Sequence, residues 1–145
     1  MNGHQKVVEA ALEQMEAKAY RLGVQGVAVA SIVYLSDPNE FSLGIRIVGR
    51  FQRPPDATKD KGDTGVNYLA VAVSKVAESF ETHNPSGLTF DRQPKLGEFG
   101  YRGCVIAETD TMILLSSFSG GTEGEDVVIA WVGLDLLCKM FRGSR

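Results

Sequence analysis

Ser119-Gly120-Gly121-Thr122-Glu123-Gly124-Glu125-Asp126 is the stretch at which a strand breaks and a helix begins. Leu114 to Phe118 ahead of it read as a strand of apolar and small residues. Gly120 and Gly121 permit backbone angles closed to other residues, and Thr122-x-x-Glu125 has the spacing of a capping box. A helix is therefore expected from Glu123. Helix starts offer unpaired N–H groups that can hold an anion, but Glu123, Glu125 and Asp126 already place carboxylates in this first turn. The turn reads as structural rather than as a phosphate cradle, and it lacks the Gly-x-x-x-x-Gly-Lys spacing of a nucleotide loop.

Outward from this turn, Val128, Trp131, Leu134, Leu137, Cys138 and Phe141 trace the apolar face of the last helix, and Trp131 is expected in the core or in a subunit interface. Upstream, Cys104 to Ala107 and Met112 to Phe118 flank Glu108-Thr109-Asp110-Thr111 as a hairpin. At the other end, Val8, Leu12, Met15, Ala19 and Leu22 recur at three and four, an amphipathic helix ending at Gly23. Val24 to Leu35 is mostly β-branched or small without strict alternation, the pattern of a central strand buried on both faces. After the turn formers Ser36-Asp37-Pro38-Asn39, Phe41 to Phe51 alternates enough to pair back antiparallel.

Pro54-Pro55 ends that strand, and Asp56 to Gly65 reads as a charged loop. Val66, Leu69, Ala70, Val73, Val76, Ala77 and Phe80 mark a second helix packed on the sheet, with Lys75 and Glu78 on its polar side. His83 to Gly100 has no period and reads as a long connection, of a length that often carries function. Hairpins separated by helices cannot build the parallel crossovers of a doubly wound fold. The expectation is α+β, a central antiparallel sheet flanked by helices, in a single domain over residues 1–145.

The 145 residues carry a net charge of −3, with 43% apolar and 23% charged residues. This is ordinary globular composition, and it argues against disorder and against a polyanion such as nucleic acid as partner. Cys104 and Cys138 show no framework spacing and read as buried thiols. The sequence shows neither a signal-peptide pattern nor an apolar run long enough to span a membrane, so a cytoplasmic protein is expected.

Candidate chemistry is sparse. His4 and His83 lie in no metal-ligand spacing. His4 reads as solvated, and His83, just past a helix, as favouring that helix's negative end. Ser117 and Ser119 lack a nucleophile elbow. Arg46, Arg50, Arg53, Lys59 and Lys61 are interrupted by Asp56, Asp60 and Asp63, so they read as a solvated charged edge rather than an anion site. In Phe99-Gly100-Tyr101-Arg102-Gly103, two aromatics and an arginine among glycines could line an apolar pocket with one cationic handle for a carboxylate. The alternative is a loop that anchors its aromatics in the core. Phe99, Tyr101, Arg102 and Lys75 are the candidate ligand-binding residues.

The order of elements, with Ser119-Gly120-Gly121-Thr122-Glu123-x-Glu125-Asp126-x-x-Ile129-Ala130 at the last helix start, resembles the GlcG/HbpS-like family, which includes haem-interacting proteins and the C-terminal domain of PduO-type proteins. Val27-Ala28-Val29-Ala30, Arg53 to Asp56, and Ser74-Lys75-Val76-Ala77 agree with it. The resemblance implies a profilin-like fold and a homo-oligomer, and it raises haem as a cofactor, which His4 or His83 could reach. Two stretches depart from the family pattern, Tyr34 to Asn39 and Met112 to Phe118, so no residue is matched to a haem ligand. The function expected is non-enzymatic binding of a small molecule, a tetrapyrrole or a small carboxylate, in a pocket between the sheet and the loop from His83 to Arg102. The alternative is an oligomeric scaffold or interaction module without a small-molecule ligand.

Overall fold

The computed structural model describes residues 3–142. Helix α1 (Gly3–Leu22) leads into strands β1 (Gly26–Tyr34) and β2 (Phe41–Val48). The short strands β3 (Gln52–Arg53) and β4 (Val66–Asn67) precede α2 (Tyr68–Thr82); β5 (Cys104–Glu108), β6 (Met112–Ser119) and α3 (Glu123–Arg142) complete the chain. The main sheet has the order β2-β1-β6-β5, and each of its neighbouring pairs is antiparallel. The architecture is α+β, as the alternation of hairpins and helices predicts.

Burial explains which strands lie inside. Every residue of β6, and all but the last of β1, is buried, because α1 and α3 cover one face of the sheet and α2 the other. On the first face Ala28, Ala30, Leu114 and Phe118 meet Leu12, Met15, Ile129 and Leu134. On the second, Val27, Val29 and Leu115 meet Tyr68, Ala72 and Val76. Strand β2 is an outer strand that stops at Val48, where Gly49 turns the chain with a φ of 77°. Phe41, Leu43, Ile45 and Ile47 pair with Val33, Ser31, Val29 and Val27 on the α2 side. They remain 36–49% exposed.

The helices begin and end as their sequences direct. Asn67 caps α2 by accepting from the Ala70 N–H at 3.0 Å. In the predicted capping box of α3, Thr122 Oγ1 accepts from the Glu125 N–H at 3.2 Å while Glu125 Oε1 accepts from the Thr122 N–H at 2.8 Å. Residues 83–103 form no helix or strand.

Several expectations need correction. Lys75 and Glu78 are not on a polar face: they are 2% and 5% exposed. The buried stripe of α2 is Tyr68, Ala72, Lys75, Val76 and Ser79, while Ala70, Val73 and Ala77 face outward. The helix is rotated from the orientation its apolar residues suggest because the lysine and the glutamate each find partners inside. Val128, at 44% exposed, is not on the buried face, and Trp131, at 47%, is outside the core, which leaves the subunit interface as the reading of that residue; Asp126, Ile129, Leu134 and Leu137 form the inward stripe of α3. His4 is half-buried, its ring nitrogens 2.7 and 2.8 Å from Tyr34 Oη and its ring beside Phe141. Among the basic residues after the first hairpin, two are committed internally. Arg46 pairs with Glu9 and Glu16 of α1, and Arg53 donates to both Asp63 carboxylate oxygens at 2.8 and 2.9 Å, which holds the Asp63 pKa well below the usual carboxylate range.

Candidate functional site

An open cleft of about 350 Å³ lies where the start of α2, residues 101–102 and the β6–α3 turn converge. It forms because β6 and α2 are neighbours across the sheet while the turn after β6 doubles back at Gly120. That glycine has a φ of 142°, and a Cβ on it would lie 2.1 Å from the Gln25 carbonyl oxygen, so no side chain fits there. Val66, Tyr68 and Val71 supply apolar surface from the α2 side, Tyr101 and Arg102 form the opposing lip, and Ser119, Gly120, Gly121, Glu123 and Asp126 form the floor and far wall.

At the base is an ion pair. Lys75 Nζ donates to Asp126 Oδ2 at 3.1 Å and to the Phe118 carbonyl at 2.8 Å. Asp126 Oδ1 accepts from the Gly121 N–H at 2.8 Å. Burial lowers the Lys75 pKa and raises that of Asp126, and the attraction between the two offsets part of each shift. The pair crosses from α2 to the first turn of α3 and so fixes the glycine turn against the sheet. Gly103, at φ 137°, is the neighbour that permits it, because a Cβ there would approach Lys75 Nζ to 2.4 Å.

At the rim the charges are looser. Arg102 Nη1 lies 3.3 Å from Glu123 Oε1, and the two side chains are 42% and 62% exposed. The Phe99 and Tyr101 rings stack obliquely at 6.0 Å. Each residue is 55% exposed, so the loop does not anchor its aromatics in the core. The loop is held instead by Glu78, whose carboxylate accepts from the Gly87 N–H at 2.5 Å and from the Gly100 N–H at 3.1 Å. Arg92 pairs with Glu98 within the same loop.

Of the candidate residues, the structure brings Lys75, Tyr101 and Arg102 together around one cleft and leaves Phe99 beside it, packed on Tyr101. The body of the 83–100 loop does not line it. Sequence reasoning missed Asp126 and the Ser119–Gly121 backbone as cleft walls. Their signal was the glycine turn itself, which a structural reading of the helix start accounts for completely. It also missed the Lys75–Asp126 pair, although Lys75 follows Tyr68 and Ala72 at the intervals of the buried stripe.

His83 ends α2 in the left-handed region at φ 57° and meets Glu108. Cys104 is buried, which pushes its thiol up to about 12. Among the described residues no cluster of His, Cys, Asp and Glu could hold a metal ion, and no helix is long and apolar enough to cross a membrane.

No protein-family model matches the chain, and no curated protein sequence matches it. Solved structures do. The PduOC–haem complex superposes with a TM-score of 0.62 at 14% identity, covering 94% of this chain and 94% of that one. The Klebsiella pneumoniae protein ORFY, of the DUF336 family, superposes with a TM-score of 0.54 at 16% identity, over 88% of this chain and 87% of that one. The chain shares the profilin-like α+β fold of these neighbours, the fold that the sequence resemblance implies.

Proposed function

We propose that this chain is a non-enzymatic, cytoplasmic small-molecule-binding domain that takes a small carboxylate in the cleft between Arg102 and the Ser119–Gly121 turn. The observation that carries this reading is the convergence of Tyr101 and Arg102 with apolar side chains of α2 on one concave surface. Arg102 is the cation able to respond to a ligand, because Lys75 is consumed by Asp126 and Phe118, whereas the exposed Arg102–Glu123 contact is weak.

The likeness to a haem complex supports small-molecule binding in general. The cleft suits a small carboxylate better than a haem. Arg102 would suit a propionate, but the lining residues include no His, Met or Cys, and Tyr101 is the one exposed tyrosine among them that could meet an iron. His4 is engaged with Tyr34 and His83 with Glu108, both away from the cleft. The test is calorimetric titration of wild type and Arg102→Ala with haemin and with small hydroxy acids in parallel. Saturable hydroxy-acid binding, weakened in the variant by on the order of 1.5–3 kcal/mol, is the expected result. Binding indifferent to Arg102 would move the site elsewhere.

A second reading, a homo-oligomeric scaffold, is favoured by the apolar row Phe41, Leu43, Ile45 and Ile47 on the outer strand. An edge strand of this kind, with no charge on the exposed face, is normally covered by a partner.

A further inference from the structure

The geometry points to a zwitterionic ligand for this cleft, a free amino acid with an apolar side chain, rather than a plain carboxylate. This rests on the reading that Arg102 receives a carboxylate there.

The charged side chains lining the cleft are Lys75, Arg102, Glu123 and Asp126, and they divide into an inner and an outer pair. In the inner pair, Lys75 and Asp126 meet at 3.1 Å and each has a further backbone partner. Whether written as ammonium and carboxylate or as amine and acid, this pair adds no net charge. The outer pair, Arg102 and Glu123 at 3.3 Å, also sums to zero but stands open to solvent. The side chains lining the cleft therefore carry no net charge.

A ligand carrying only a carboxylate disturbs that balance. To bind Arg102 it must either share the guanidinium with Glu123, which holds two carboxylates within a few ångströms of each other and is repulsive, or displace Glu123 and give that carboxylate no partner in return. An ammonium on the neighbouring carbon removes the conflict. The ligand carboxylate takes the guanidinium, which has five N–H donors, the ligand ammonium takes Glu123, and each rim charge exchanges its loose partner for a ligand partner. The adjacency of the two rim charges matches the adjacency of the two charged groups on an α-amino acid. The remaining surface, Val66, Tyr68, Val71 and Tyr101, is apolar or aromatic and selects the side chain.

The experiment titrates the full chain with L-phenylalanine, 3-phenylpropionate and phenethylamine, which carry both charges, the carboxylate alone and the ammonium alone. Wild type, Glu123→Gln and Arg102→Ala are compared, with melting midpoints to confirm that each is folded. Wild type should bind phenylalanine about tenfold or more tightly than 3-phenylpropionate. In Glu123→Gln that preference should collapse, with 3-phenylpropionate gaining affinity and phenylalanine losing it. If 3-phenylpropionate binds wild type as tightly as phenylalanine and Arg102→Ala weakens it, the zwitterion inference is overturned while the carboxylate site stands. If no carboxylate binds in an Arg102-dependent manner, both are overturned.

Discussion

Lys75 and Asp126 show how a residue can be read correctly as part of a site and wrongly in its surroundings. A charge on a helix ordinarily faces solvent, yet Lys75 occupies the inward stripe with Tyr68, Ala72 and Val76 because a carboxylate fifty-one residues later reaches it. Nothing local in Ser74-Lys75-Val76 announces that partner. Removing one member of a buried pair leaves an uncompensated charge, so Lys75→Met should destabilise the fold by roughly 3–5 kcal/mol at neutral pH. The pH dependence has a definite sign. Burial raises the Asp126 carboxyl above its unfolded value, so its contribution is full below the unfolded pKa and is lost as pH rises through the folded one. The variant should lose less stability at about pH 4 than at about pH 7. Urea denaturation giving equal losses at both would refute this account of the pair. Thr122, by contrast, was legible in full, because its role is set within four residues. Thr122→Ala should lower stability by roughly 0.5–2 kcal/mol without altering ligand affinity, and an unchanged unfolding midpoint would contradict the cap.

Elements with a regular period were legible, and their orientations were less so. The apolar residues of α1 and the run of apolar and small residues in β1 describe their own burial, since one helix face or both strand faces are covered. In α2 the abundance of alanine and valine leaves several stripes nearly equivalent, and the polar partners decide among them. Residues 83–103 carry no period at all, so their organisation around Glu78 could not be read from the sequence. Glu78→Ala leaves the Gly87 and Gly100 N–H groups without their acceptor, a cost of about 1–3 kcal/mol. The loop should then exchange its amide hydrogens and be cleaved by protease faster than in wild type, with α1 and the sheet unchanged. Protection unchanged in the loop would show that Glu78 is not what holds it.

At the scale of the whole molecule, the sheet order follows from two antiparallel hairpins joined through β1 and β6, a pairing of Val27 with Ser119 that no local pattern encodes. The same closure places Arg102 opposite Glu123 and creates the cleft, which is why its walls come from segments that look unrelated in the chain. Closure also leaves the α2-side face of β2 only half covered. If copies of the chain assemble through that face, Ile45→Lys should shift light scattering from an oligomer to a monomer. A wild-type monomer at micromolar concentration would remove the homo-oligomer from the account.

The central claim is that the cleft beside Tyr101 and Arg102 binds a small carboxylate-bearing ligand. Backbone amide chemical shifts recorded during titration with phenylalanine and with a hydroxy acid test it residue by residue. The account predicts saturable shifts concentrated at Tyr101, Arg102 and the Ser119–Gly121 turn, and absent in Arg102→Ala. Shifts centred on another surface, or none in a folded protein at millimolar ligand, would contradict it.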